Sequence, residues 1–129
     1  GEDRIFGVVT TTSCFAPRGC DAVGEVAKIC KKYDFVHVVN NAYGLQSTKC
    51  TSEIEKGIRE GRVDAFVQST DKNFMVPVGG AVVASPSENT IQDLAKSYPG
   101  RASMTPLLDL FITLLSMGEE GYLGLLKKK

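Results

Sequence analysis

Short apolar, β-branched runs alternate with amphipathic stretches at least three times along this chain of 129 residues. That alternation is its strongest constraint on fold. Arg4 to Thr10 reads as a buried strand, and Thr11 to Gly19, which contains Pro17 and Gly19, as a loop. Asp21 is placed to cap a helix running to Tyr33. Val23, Val26, Ala27 and Cys30 share one face of it, and Lys28, Lys31 and Lys32 sit near its C-terminal end, where the helix dipole favours cations. Phe35 to Val39 is the next strand, Thr51 to Glu60 a short helix, and Ala65 to Gln68 a third strand. Gly80 to Ala84 is a fourth strand, Ser87 caps a helix ending near Tyr98, and Ser103 or Thr105 opens a long helix to Met117. Strand and helix at this spacing imply βαβ crossovers: an α/β domain with a mostly parallel sheet and helices on both faces.

Bulk composition is that of an ordinary globular domain. Lys+Arg and Asp+Glu both number 15, so nothing in the net charge announces a nucleic-acid partner. No run approaches about 18 consecutive apolar residues, the length needed to span a membrane. No signal peptide is recognisable, Gly1 is not an initiator methionine, and a strand-like run begins by residue 4. The expectation is therefore an internal segment of a longer protein. Cys14, Cys20, Cys30 and Cys50 form no C-x-x-C, and the one histidine, His37, is not near a cysteine pair. Free thiols in a reducing cytosol fit better than a zinc site, and no metal is expected. The long stretch from Leu107 to Leu115 is apolar nearly all round, as befits a helix buried in a core or a subunit contact.

In parallel sheets, ligands gather beyond the carboxyl ends of the strands. Three polar residues fall there: Asn40, Ser69 and Lys72. Lys72 follows the run Ala65-Phe66-Val67 and precedes the turn at Gly79-Gly80, and Asn40-Asn41-Ala42-Tyr43-Gly44 lies about 30 residues upstream. This order of strand end, polar pair, alanine, aromatic, glycine, then strand and lysine is similar to the layout of pyridoxal phosphate enzymes of the aspartate-aminotransferase fold (fold type I). There the lysine carries the cofactor through an imine and the upstream polar residue faces the pyridine nitrogen. Lys72 needs partial desolvation to attack an aldehyde, and Phe74, Met75 and Val76 are placed to form an apolar wall. Ser69, three residues before the lysine, matches a serine that often holds the cofactor phosphate; it reads equally well as a plain strand-end hydroxyl. Asn40, with Asn41 as the alternative, stands where most enzymes of the fold place aspartate. An amide cannot hold the pyridine protonated as a carboxylate does. The weaker electron sink suits chemistry with a good leaving group at Cβ, such as elimination of phosphate. Ala42 is small enough to lie beneath the cofactor ring, or is simply a small residue in a tight turn. His37, inside a strand, reads as a hydrogen-bonded core residue.

The strings VTTTSCFAPR, HVVNNAYGLQSTKC, GRVDAFVQSTDKNFMVPVGGA and YPGRAS strongly resemble the O-phosphoseryl-tRNA:selenocysteinyl-tRNA selenium transferases of archaea and eukaryotes, over about Gly7 to Tyr122. The resemblance implies conversion of phosphoseryl-tRNA to selenocysteinyl-tRNA, with selenophosphate as donor and pyridoxal 5'-phosphate on Lys72. It implies substrate binding by Arg101, tRNA contact by Arg59, a cytoplasmic location, and a homotetramer with sites at dimer contacts. By charge pattern alone, Arg59 lies on a solvated helix face, offset by Glu53, Glu55 and Glu60. Arg101 follows Pro99-Gly100, a turn that can project a phosphate-matching guanidinium, although without the resemblance it reads as an exposed salt-bridging arginine. Residues 1–129 then correspond to the central part of the cofactor-binding large domain, with 104–129 leading toward a C-terminal small domain. The family's phosphate-binding loop lies upstream, so this segment alone is not expected to be active. Two other readings remain. A cysteine desulfurase or selenocysteine lyase would commonly have aspartate at position 40 and histidine at 71. A non-catalytic antigen or subunit-contact segment would bind no cofactor.

Overall fold

Two strand–helix–strand crossovers and one short reversal organise the described chain. The computed structural model describes residues 4–13, 15 and 19–128; Cys14, Pro17 and Lys129 lie outside them. In chain order the elements are β1 (Gly7–Thr11), α1 (Val23–Tyr33), β2 (Val36–Asn40), a 3-10 turn (Gly44–Gln46), α2 (Thr48–Glu60), β3 (Ala65–Ser69), α3 (Thr70–Phe74), β4 (Ala81–Ala84), α4 (Glu88–Ser97) and α5 (Thr105–Leu126). The four strands lie in the order β1-β2-β3-β4. β1 and β2 are parallel, with Val9 opposite Val38 and Thr11 opposite Asn40. β2 and β3 are also parallel, with Asn40 opposite Val67. β4 runs antiparallel to β3, with Val83 opposite Val67. The link between β3 and β4, residues 70–80, carries only the five-residue α3, too short to run back along the sheet as the 11- and 13-residue helices of the two parallel crossovers do.

The core lies between one face of the sheet and the α1–α2 pair. Val23 and Ala27 of α1, Ile54 of α2, and Val39 and Val63 form it, with Ile58 and Phe66 packed against them. Val26, expected on the same face, lies at its margin, and Gly24 takes the buried position instead. Asp21 does not cap α1 through its side chain. Ala22 holds the N-cap position without a side-chain cap, and the Asp21 carboxylate accepts from the Thr11 N–H at 2.8 Å. That bond anchors the helix start to the end of β1. Ser87 does cap α4, accepting from the Thr90 N–H. His37 is wholly buried and structural. Its Nδ1 donates to the Arg62 carbonyl at 2.8 Å, which leaves Nε2 to accept from the Thr10 hydroxyl at 2.9 Å. Its backbone N–H donates to Asp64. Burial would raise the Asp64 carboxyl, but hydrogen bonds from Arg62 and the His37 N–H outweigh it and hold the group below the usual aspartate value.

The second sheet face is largely uncovered. α4 borders a cavity beside Val83, on the side opposite Val39, while Val9 is 68% exposed. α5 continues past the expected end at Met117, through a kink at Gly118, whose φ of 66° and ψ of 172° break the helical path. The segment beyond the kink packs on α3: Tyr122 stacks on Phe74 at 5.7 Å and its hydroxyl donates to the Asn73 carbonyl at 3.4 Å. The apolar segment before the kink stays exposed, Phe111 and Ile112 both to 59%. No helix among the described residues is long and apolar enough to cross a membrane.

Gly61 closes α2 against α1, where an added Cβ would fall 2.3 Å from the Ala27 carbonyl carbon. Backbone on both sides cannot move aside cheaply. Gly61→Ala in the full-length protein is expected to cost about 2–4 kcal/mol of stability, measured as a lowered denaturation midpoint; an unchanged midpoint would mean that the α1–α2 contact is looser than described.

Candidate functional site

β2 and β3 end side by side, and the segments beyond them hold the polar residues singled out in the sequence. Asn40 and Asn41 point to opposite faces, as consecutive strand residues do. Asn41 is consumed by structure: its Oδ1 accepts from the Thr12 hydroxyl at 2.6 Å and its Nδ2 donates to Gln68 at 3.2 Å. Gly44 crosses directly above it, where a Cβ would lie 1.9 Å from that Oδ1. Asn40 is the one of the pair that can face a ligand. Its Oδ1 accepts from the Ala42 N–H at 3.1 Å, so the group it has left to offer is the NH2, a donor only.

Lys72 sits in α3, one short turn past the carboxyl end of β3. Its Nζ lies 2.9 and 3.2 Å from the two carboxylate oxygens of Asp71 and 3.2 Å from the Ser69 hydroxyl. The Tyr43 ring centroid is 5.6 Å away, within cation–π range. The Ser69 hydroxyl in turn donates to Asp71. Hydrogen bonding from Ser69, and then from Lys72, holds the Asp71 carboxyl below its ordinary value. The apolar wall forms differently from expectation. Val76 is buried, Phe74 turns to Tyr122, and Met75 is exposed. Met75 joins Tyr122, Leu125 and Leu126 around a cavity of about 130 Å³ that Lys72 also lines.

Asn73 fastens these parts together. Its Nδ2 donates to the Ala42 carbonyl at 2.8 Å and to the Ser69 carbonyl at 2.7 Å, joining the segment after β2 to the end of β3. Gln46 adds a second tie, donating to the Lys72 carbonyl at 2.6 Å. Two buried oxygens, Thr70 Oγ1 and Asn73 Oδ1, have no hydrogen-bond partner among the described residues. Sequence reasoning did not identify Asn73, Gln46, Tyr43 or Tyr122 as site residues. Asp71 was visible only as a departure from histidine, because adjacency to the lysine does not reveal where its side chain turns.

The arginines are not brought to Lys72. Arg101 is exposed in the connection between α4 and α5, next to Ala102, which lines a groove with Thr70 and Gly79. Arg59 is exposed in the last turn of α2, 3.5 Å from Glu60. Because α2 runs back antiparallel to the strands, Arg59 stands at the opposite end of the sheet. Cys20, Cys30 and Cys50 are free thiols, and no group of three metal-ligating side chains occurs among the described residues.

A family profile described as O-phosphoseryl-tRNA(Sec) selenium transferase, SepSecS, matches residues 1–129. A protein of that name from Dictyostelium discoideum is 55% identical over 129 residues, covering 100% of this chain and 27% of the relative. One from Caenorhabditis elegans is 54% identical over 121 residues, covering 94% of this chain and 25% of the relative. The crystal structure of an archaeal O-phosphoseryl-tRNA(Sec) selenium transferase superposes with a TM-score of 0.88 at 43% identity, covering 95% of this chain and 28% of that one. The chain thus spans about a quarter of the length of the relatives it matches. A sphingosine-1-phosphate lyase from Burkholderia pseudomallei, 20% identical with a TM-score of 0.73 over 98% of this chain and 34% of that one, shares the fold.

Asn73→Ala in the full-length protein is expected to lower stability by about 2 kcal/mol, since it removes two partly buried hydrogen bonds that tie the strand ends together, leaving the Ala42 carbonyl only its longer bond from the Ser69 N–H. Denaturant unfolding measures this, and a loss under about 0.5 kcal/mol would show that the two strand ends hold together without Asn73.

Proposed function

We propose a function from one premise: the chain belongs to the O-phosphoseryl-tRNA(Sec) selenium transferase family, whose profile spans all of it. It is the central part of the cofactor-binding large domain of such an enzyme, and residues 104–129 lead toward a smaller C-terminal domain. The whole protein replaces the phosphate of phosphoserine, esterified to the selenocysteine tRNA, with selenium from selenophosphate. It works in the cytoplasm as a homotetramer.

The residues present suit pyridoxal 5'-phosphate. An amine must bond the aldehyde carbon, a polar group must face the pyridine nitrogen, and a small side chain must lie beneath the ring. Lys72, Asn40 and Ala42 supply these at the ends of adjacent parallel strands. That convergence, within a segment that matches the family throughout, is the observation that carries the reading. When bound, the cofactor supplies an electron sink that loosens the bonds at the substrate Cα. Asn40 presents an NH2, which pairs with an unprotonated ring nitrogen and keeps that sink weak. With its amine free, Lys72 would take the proton from Cα as general base; the Cβ–O bond would break to release phosphate, and the selenium of selenophosphate would bond Cβ, water then cleaving its P–Se bond to release a second phosphate. Arg101 binds the substrate, its planar fork matching two phosphate oxygens. Arg59, at the far end of the sheet, touches the tRNA. Ser69 serves the cofactor phosphate only by turning its hydroxyl away from Asp71.

Two substitutions in the full-length enzyme test this. Lys72→Ala is expected to abolish the visible absorbance of lysine-bound cofactor and all selenium transfer while leaving the fold intact by circular dichroism. Borohydride reduction and mass spectrometry of the unsubstituted enzyme should find the cofactor on Lys72; a wild-type transfer rate in Lys72→Ala would end the assignment. Asn40→Asp is expected to raise the protonated fraction of the ring nitrogen and to open side reactions such as transamination. Nitrogen-15 NMR of labelled cofactor reads this, and an unchanged ring-nitrogen shift would mean that Asn40 faces elsewhere.

A further inference from the structure

We infer that Asp71, held by Ser69, is a positioning residue that docks the Lys72 amine whenever that amine is not bonded to the cofactor. The inference rests on the reading of Lys72 given above. In each turnover the amine must leave the cofactor, stay within reach of the substrate Cα, and return. A lysine on a flexible four-carbon stem does not keep its direction unaided.

The geometry supplies that direction. Both Asp71 oxygens lie within 3.2 Å of Lys72 Nζ, and the Ser69 hydroxyl is at the same distance. Neighbouring residues on a helix do not normally face each other. Here the pair sits in the first turn of a five-residue helix. The Ser69 hydroxyl, from the N-cap position, draws the carboxylate back toward the amine. The environment also separates this pair from an ordinary surface ion pair. The side chains of Asp71 and Lys72 are 15% and 31% exposed, against 76% and 75% for Asp93 and Lys96. Exposed pairs hold little, and less exposed ones hold more firmly. The Tyr43 ring adds a further attractive surface for the cation. A carboxylate here also steadies the positive charge that Lys72 acquires on taking a proton from Cα.

The test uses the full-length enzyme stripped of cofactor, labelled with trace acetic anhydride at one mildly alkaline pH. Mass spectrometry compares acetylation of Lys72 with that of the exposed Lys96. Asp71→Asn keeps the shape and removes the charge. It is expected to speed Lys72 labelling about three- to tenfold, because the amine loses the charged partner that occupies it. Ser69→Ala should move it in the same direction by about twofold, as the carboxylate loses its tether. In the loaded enzyme, Asp71→Asn should lower kcat about tenfold with KM little changed. Lys72 labelling equal to wild type in Asp71→Asn overturns the proposal; should that variant not fold, unchanged labelling in Ser69→Ala does so. The two readings fail separately. Borohydride trapping of the cofactor on another lysine sinks the assignment of Lys72 and the inference with it. Trapping on Lys72 with unchanged labelling sinks the inference alone.

Discussion

The parallel pairing of β2 with β3 is the constraint on which the candidate site depends. It sets Asn40 opposite Val67, so the segments that follow both strands leave the sheet at the same edge. One carries Ala42 and Tyr43, the other Ser69, Asp71 and Lys72. Backbone bonds from the Asn41 N–H to the Val67 carbonyl and from the Ser69 N–H to the Ala42 carbonyl continue the pairing, and the Asn73 amide reinforces it by bonding one carbonyl from each segment. Glycines make the close approach possible. Gly44 leaves room above Asn41, and Gly80, where a Cβ would meet Thr70 Oγ1 at 2.6 Å, does so beside α3. The order of dependence is therefore register, then amide clasp, then the lysine.

Much of this was legible in the sequence, because two periodicities and a few special residues carry it. The strands stood out as β-branched runs, the helices as apolar faces, and the lysine as a polar residue past a strand end. The element boundaries shifted by a few residues. What was not legible depends on length and on direction. The short β3–β4 link allows only antiparallel return, although Gly80 to Ala84 by itself looks like any other strand. Asp21 has the composition of a cap, yet its carboxylate found the Thr11 N–H, a partner ten positions away that only the fold brings near. Asn40 and Asn41 are chemically identical in the sequence, and only the pleat, with the polar chain Thr12–Asn41–Gln68, separates them.

The exposed apolar surfaces occur in a chain that spans about a quarter of the length of the relatives it matches. The relatives are about four times longer than the segment. Val9 on the second sheet face and Phe111 and Ile112 on α5 are more than half exposed. A stretch apolar nearly all round was expected to be buried; within the described residues the start of α5 touches Gly80 through Pro106 and the part beyond Gly118 packs on α3, while Phe111, Ile112 and Leu115 between them stay exposed. The α1–α2 face, by contrast, is complete in itself, with Val23, Ala27 and Val39 wholly buried. The two faces therefore differ: one is buried locally, and the other leaves apolar side chains in water within the described residues.

The charge layout gives the site its chemical bias. In enzymes of this fold that carry aspartate under the ring nitrogen, the carboxylate strengthens the electron sink. Here the corresponding side chain is neutral, and its oxygen is spent on the Ala42 N–H. The carboxylate of the site is Asp71, and it lies beside the amine of Lys72. A carboxylate at the ring keeps the ring nitrogen protonated and so strengthens the sink; on the proposed reading, a carboxylate at the lysine instead holds the amine in place for proton removal. A weak sink coupled to an assisted base suits a reaction in which the Cα proton is taken and a phosphate leaves Cβ promptly. It suits poorly a reaction that must store a long-lived carbanion. On the proposed reading, a neutral Asn40 together with a carboxylate beside Lys72 fits elimination and replacement at Cβ better than transamination.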